Sequence, residues 1–214
     1  MDEFEIPRER MIKRLREHYK IEDERVLNVM CVIPRHLFLP TALKAQAYSD
    51  NALPIAGNQT ISQPYIVAKM TELLEISPTA RVLEIGAGSG YQTAILSRLA
   101  RVVYAIERVP QLAAEAQNRL QHLGIHNVTL RCGDGTLGWE VYAPFDAILV
   151  AAGGPTMPEP LLSQLKLSGK LVIPIGQDQQ SQRFIRVTRT EKGFQSEDFG
   201  GCAFVPLIGE HGWK

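Results

Sequence analysis

The segment Val82-Leu83-Glu84-Ile85-Gly86-Ala87-Gly88-Ser89-Gly90 has the composition of a buried strand running through a glycine loop into a helix. Glycines let the backbone turn tightly and approach a ligand, and a helix start offers unpaired N–H groups to an anion. A dinucleotide fingerprint would need a glycine at position 91, where this chain has Tyr91. Two acids follow. Glu107 lies 21 residues after Gly86, where a carboxylate accepts hydrogen bonds from ribose hydroxyls. Asp134, within Cys132-Gly133-Asp134-Gly135, is placed to accept from an adenine amino group. A surface acid and an Asx turn are the respective alternatives.

These residues need strands and helices to hold them. After Pro78 the pattern predicts strand 81–85, helix 91–100, strand 101–106, helix 110–123 and strand 127–131. Strands 145–150 and 170–175 follow, with a helix over 159–166 between them. Such alternation folds as a parallel sheet with right-handed crossovers. The β-rich runs 183–190 and 202–207 carry no helical period and predict an antiparallel edge.

Upstream, residues 48–63 are rich in Asn, Gly, Pro, Ser and Gln and read as a long loop of the functional kind. Ser62 can cap a helix that has Pro64 in its first turn and Ile66, Met70, Leu73 and Leu74 at helical spacing. Residues 2–25 hold 15 of the 46 charged residues. A thin stripe of Ile6, Met11, Leu15 and Tyr19 among them predicts an amphipathic helical cap. Pro34 and Pro40 bracket the short unit 35–39 and stop any longer helix. The organisation expected is one α/β domain over 1–214: a cap at 1–47, a lead-in loop at 48–63, and a doubly wound, mostly parallel core at 64–214 with an antiparallel C-terminal edge.

Composition excludes several classes. With 214 residues, 45% hydrophobic and 21% charged, the chain can build one well-buried core. Lys+Arg and Asp+Glu both number 23, so no summed field gathers nucleic acid or anionic lipid. The longest apolar runs, such as 147–152, fall far short of the roughly 20 residues that span a membrane. The first residues have no basic region followed by an apolar one, so a cytoplasmic protein is expected. Cys31, Cys132 and Cys202 are too scattered for a zinc site or a disulfide framework, and they are expected to be buried, reduced thiols with no metal.

A glycine loop, a ribose acid and an adenine acid at the ends of three successive strands resemble the S-adenosylmethionine site of the class I, doubly wound methyltransferases. The resemblance implies that Gly86, Gly88, Ser89 and Gly90 hold the methionine end, Glu107 the ribose, and Asp134 with Gly135 the adenine. Glu84 would meet the methionine ammonium or merely orient the loop.

The lead-in segment narrows the family. Ala52-Leu53-Pro54-Ile55 and Gln59-Thr60-Ile61-Ser62-Gln63-Pro64-Tyr65 resemble the signature of the protein-L-isoaspartate O-methyltransferases. So do residues 34–40, Gly138-Trp139 after the Asp134 turn, and Phe204-Val205-Pro206-Leu207. The implied reaction is methyl transfer to the α-carboxylate of L-isoaspartyl, and more weakly D-aspartyl, residues of damaged proteins and peptides by a monomeric enzyme, leaving S-adenosylhomocysteine. Ser62 matches the family's active-site serine, Thr60 and Ile61 fall on the cofactor side of the loop, and Ser62 with Val205, Pro206 and Leu207 falls on the peptide side. Such a carboxylate is ionised at neutral pH, so its attack needs no general base, and Ser62 would orient it by donating a hydrogen bond. The chain departs from the family pattern at Asn58, which stands directly before Gln59 in place of a glycine, and at Tyr65, where some members carry a histidine. The rival readings are a methyltransferase acting on a small molecule and a binding protein without turnover.

Overall fold

The N-terminal cap is built from two helices, where the charge-rich leader had suggested one. In the computed structural model, which describes residues 3–178 and 181–214 and so omits the first residues of that leader, α1 spans Glu5–Glu17 and α2 spans Glu24–Val32. Between them Lys20 takes a left-handed φ of 56°, which no helix interior can accept. Asp23 then opens α2, its side chain accepting from the Arg25 N–H at 2.9 Å. Met11 and Leu15 of α1 and Val26, Leu27 and Met30 of α2 are buried in one cluster with Val67 and Leu96 of the core. Two short 3₁₀ turns, Arg35–Phe38 and Thr41–Gln46, follow the prolines that bracket them.

The lead-in loop contains a small hairpin. Strand β1 (Leu53–Pro54) pairs antiparallel with β2 (Thr60–Ile61). The Gln59 N–H donates to the Ala56 carbonyl at 3.3 Å, and Gly57 and Asn58 have φ of 65° and 54°. Two left-handed central residues make this the mirror-image turn that suits hairpins, and Asn tolerates that conformation. Helix α3 (Pro64–Leu73) begins directly behind β2. Its flanking residue is Gln63, with no side-chain cap, so the capping role open to Ser62 is not realised.

The core comprises β3 (Arg81–Ile85), α4 (Tyr91–Leu99), β4 (Val102–Glu107), α5 (Pro110–His122), β5 (Val128–Cys132), β6 (Phe145–Val150), α6 (Glu159–Ser163), β7 (Leu165–Ile175), β8 (Gln182–Thr190) and β9 (Gly193–Cys202). The seven-stranded sheet has the order β5-β4-β3-β6-β7-β8-β9, parallel through β7 and antiparallel beyond it. Alternate residues serve opposite faces. Val82, Val103 and Leu149 pack beneath the cap, α3 and α4, while Leu83, Ile106 and Ile148 pack on the side of α6 and Trp139.

Two boundaries differ from the sequence pattern. Strand β7 starts at Leu165 and cuts the preceding helix to five residues. The last antiparallel strand is the polar, glycine-rich 193–202, which carries little β signal, and residues 203–207 leave the sheet after it. Pro206 has no N–H for a ladder. Its neighbours instead clamp Gly153 beyond β6: the Gly153 N–H donates to Val205 O at 2.8 Å, and the Leu207 N–H donates to Gly153 O at 2.8 Å. The expected burial of the cysteines also fails, because Cys132 ends the edge strand β5 and is exposed, with Cys31 and Cys202 half-buried. All three are unpaired.

Replacing the cap of α2 by Asp23→Ala should cost about 1 kcal/mol of stability. Urea unfolding should show a lower midpoint at unchanged slope; an unchanged midpoint would mean that Asp23 does not hold the break between the two helices.

Candidate active site

Strand β3 has β4 on one side and β6 on the other, so the chain winds in opposite directions from this pair, and a crevice opens beyond their carboxyl ends. Gly86 (φ 87°) and Gly88 (φ 53°) carry the chain out of β3, and the Ala151 N–H donates back to Ile85 O at 2.8 Å. Three spaces meet here, with Thr60 and Ala151 in the wall of each. The first, about 660 Å³ and partly open to solvent, is lined by Gly86, Gly88, Glu107, Gly135 and the segment 205–208. The second, about 430 Å³, lies between Ile61-Ser62 and Gly88-Ser89-Tyr91. The third, about 950 Å³, runs outward from Ser62 past Tyr65 and residues 201–205.

Glu107 closes the glycine loop from below. Its carboxylate accepts from the Gly88 N–H at 2.7 Å and from the Val109 N–H at 2.8 Å. A carboxylate has about four acceptor sites, so capacity remains toward the first space. Gly135 lies so close to the end of β3 that a Cβ would come within 2.2 Å of Ile85 Cγ2. Only glycine fits.

Three of the expected ligand residues are not in these walls. Asp134 forms an Asx turn, accepting from Thr136 N–H (2.8 Å) and Oγ1 (2.7 Å), and also accepts from the Glu210 N–H (2.8 Å) of the C-terminal tail. Partial burial pushes its carboxyl up, but the hydrogen bonds from Glu210 and Thr136 prevail and hold it below the usual range. Gly90 (φ 88°) caps α4 and packs on α5, where a Cβ would stand 3.2 Å from Ala116 Cβ. Glu84 is wholly buried in the middle of the sheet. Of the peptide-side residues, Pro206 and Leu207 line the first space, and only Val205 continues into the third.

Ser62 lines the second and third spaces, and its hydroxyl makes no hydrogen bond among the described residues. Its main chain is held by a residue that the pattern did not single out. Arg35 is 0% exposed; it donates from Nε to Ala47 O (2.7 Å) and from Nη2 to Ser62 O (2.8 Å). Its guanidinium carbon lies 4.9 Å from the Tyr91 ring centre, and Nη1 has no partner among the described residues. Burial lowers its pKa, opposed by Tyr91 and Tyr48. The one signal for it was a cation in a short unit between two prolines that ends in Leu37, Phe38 and Leu39.

Glu84 is the electrostatic counterpart. Burial pushes its carboxyl up to about 8; the nearby Thr93 hydroxyl pulls it down, and Glu107 pushes it further up. Neither carboxyl oxygen meets hydrogen-bond geometry. In the unfolded chain such a group ionises near 4.5, so the folded form holds the proton across the window from 4.5 to about 8. The folded state then binds one more proton than the unfolded chain, and stability should fall as pH rises through that window, by about 1.4 kcal/mol for each pH unit. Glu84→Gln should be more stable than the parent at pH 8, and this advantage should shrink sharply at pH 5. Equal stability differences at both pH values would show that Glu84 is ionised in the fold.

The first two spaces form one trough, with a carboxylate at one end and the start of α4 at the other. Glycine backbone lies between, where side chains would intrude. That shape and donor set fit S-adenosylmethionine, with its hydroxyl-bearing nucleoside and charged amino-acid end.

Comparison with known proteins agrees with this geometry. Residues 6–212 match the family described as protein-L-isoaspartate(D-aspartate) O-methyltransferase. The chain is 50% identical to a protein-L-isoaspartate O-methyltransferase of Syntrophus aciditrophicus, over 100% of this chain and 99% of that one. It is 51% identical to one of Trichlorobacter lovleyi, over 100% and 99%. A solved protein-L-isoaspartate O-methyltransferase superposes with a TM-score of 0.86 at 29% identity, covering 96% of this chain and 67% of that one. A putative Plasmodium falciparum member, solved in complex with S-adenosyl-L-homocysteine, superposes with a TM-score of 0.82 at 25% identity, covering 94% and 98%.

Proposed function

Since this chain belongs to the protein-L-isoaspartate(D-aspartate) O-methyltransferase family, we propose that it performs that family's reaction: methyl transfer from S-adenosylmethionine to the α-carboxylate of L-isoaspartyl, and more weakly D-aspartyl, residues in damaged proteins and peptides. The observation that carries this reading is Ser62, which lines both the trough and the third space and whose hydroxyl makes no hydrogen bond among the described residues. When bound, S-adenosylmethionine supplies an electrophilic methyl group on a sulfonium.

Glu107 accepts from the ribose hydroxyls while it holds the Gly88 N–H. Gly86, Gly88 and Ser89 present backbone to the methionine end, with Thr60 and Ile61 closing over them. Gly135 supplies a flat floor for the adenine, and Asp134 acts on that floor indirectly by fixing the turn. Glu84 and Gly90 support the loop from behind. Ser62 donates to one oxygen of the substrate carboxylate and leaves the other free to attack. The reacting groups carry opposite charges that would vanish as the O–C bond forms and the methyl–sulfur bond breaks, leaving a neutral ester and a neutral thioether, so a site that excludes water favours the step, and no base is required. Arg35 keeps Ser62 in place through its carbonyl.

The groove that opens from Ser62 along residues 201–205 suits a peptide better than a small metabolite. Val205 lies where groove and trough join, with Pro206 and Leu207 behind it in the trough wall. Three unpaired cysteines suit a reducing compartment such as the cytoplasm. Among the described residues no helix is long and apolar enough to cross a membrane.

Labelled methyl should pass to a synthetic peptide bearing one isoaspartyl linkage and not to its aspartyl twin, and the label should be base-labile. Transfer to neither peptide, with cofactor binding intact, would move the substrate to a small molecule. Ser62→Ala should lower kcat/KM for the isoaspartyl peptide by about tenfold to a hundredfold, the worth of one hydrogen bond to a charged group, at unchanged cofactor Kd. A parallel loss of cofactor affinity would remove Ser62 from the substrate side.

A further inference from the structure

The outward groove has an aromatic wall supplied in part by the N-terminal cap. Tyr19, just past the end of α1, stacks on Tyr65 of α3 with ring centroids 4.1 Å apart and planes 17° from parallel. Both line the groove on the side that bears Ser62. Tyr65 is three residues beyond Ser62, so the wall begins next to the position given to the reacting carboxylate.

The stack is held from behind. The Tyr19 hydroxyl donates to Asp50 Oδ2 at 2.6 Å. Gln63 Nε2 donates to Asp50 Oδ1 (3.0 Å), to Asp50 O (3.2 Å) and to the Tyr19 hydroxyl oxygen (3.3 Å). Arg14 Nη1 stands 3.9 Å from Asp50 Oδ2. Asp50 is thus engaged on both oxygens and does not line the groove, whose wall on this side is made by Tyr19, Tyr65 and the Gln63 amide that is tied to Asp50. Ala52 and Ile66 flank the rings, and Phe204 and Val205 also line the space.

Among the described residues, no Asp, Glu, Lys or Arg lines this space. A charged side chain entering it would give up water without gaining a counter-ion, whereas an apolar one exchanges water for carbon surface. The residue before the isoaspartyl unit lies one ordinary peptide unit away, about 3.8 Å from Cα to Cα, and the residue after it one methylene further, so an adjoining residue reaches the rings while the carboxylate rests at Ser62.

We propose that Tyr19 and Tyr65 form a subsite that selects an apolar or aromatic side chain adjacent to the isoaspartyl residue. The proposal rests on the isoaspartyl reading above and assigns the cap a part in substrate choice. The test is a set of isoaspartyl peptides that differ only in one flanking residue, Phe, Leu, Glu or Lys, varied on each side in turn. On one side kcat/KM should favour Phe and Leu over Glu and Lys by roughly tenfold, chiefly through KM. Tyr19→Ala should bring that ratio near one, while Tyr19→Phe, which keeps the ring, should retain it; both should leave cofactor Kd unchanged. Tyr65→Leu serves as the second variant should Tyr19→Ala fail to fold.

Equal kcat/KM for all flanking residues, or a ratio that survives both Tyr19→Ala and Tyr65→Leu, would overturn the subsite and leave the isoaspartyl reading standing. Failure to methylate any of these peptides while cofactor still binds would overturn both.

Discussion

Everything at this site depends on the parting of two parallel strands. β3 and β6 pair along their length, and then the chain leaves each toward a different side of the sheet. The main-chain groups beyond Ile85 and Val150 have no strand to continue with. The left-handed Gly86 and Gly88, the Glu107 carboxylate under the loop, and the Ala151-to-Ile85 hydrogen bond are the local solution to that mismatch. The trough is the space left over. The clamp of Val205 and Leu207 on Gly153 then brings the C-terminal segment against the same opening, so one wall comes from a part of the chain about 120 residues beyond the glycine loop.

Two ionisable groups behind the trough are buried without an opposite charge, Arg35 against Tyr91 and Glu84 near Thr93. Arg35 bonds two carbonyls and lies against Tyr91; Glu84 lies within the sheet beside β4 and β6. A buried guanidinium cannot shed its proton in the working pH range, whereas a buried carboxyl can keep one. Burial therefore leaves Arg35 as a fixed cation that organises carbonyls and turns Glu84 toward its neutral form. Such groups cost stability, and they are found where the fold has a loop to hold in one geometry.

Asp134 shows how a single side chain can link distant parts of the chain. Its oxygens gather the Thr136 turn and the Glu210 N–H, which fixes both the approach of Gly135 to Ile85 and the path of the tail. Trp213 adds a second tie, from its indole N–H to Gly153 O at 2.9 Å. The tail is thereby fastened to the ends of β5 and β6, beside the trough.

The alternation of short apolar strands with helices, the glycine loop and the prolines that break the cap region are properties of local sequence, and they sufficed for the parallel core, its antiparallel continuation and the position of the loop. The spacing of Gly86, Glu107 and Gly135 was readable for the same reason, since each lies at or just beyond a strand end. Local pattern did not separate α1 from α2, because the left-handed turn at Lys20 and the cap at Asp23 are set by how both helices pack on the core. It also misjudged the last strand, where 193–202 is held by pairing with β8 more than by its own composition. Only the tertiary structure decided that Glu84, Gly90 and Asp134 lie outside the walls of the three spaces, that Arg35 grips the Ser62 carbonyl and that Tyr19 stacks on Tyr65. Facing a cleft, gripping a carbonyl 27 residues away or stacking on a ring 46 residues away depends on distances between segments, and those distances exist only once the sheet has brought the segments together.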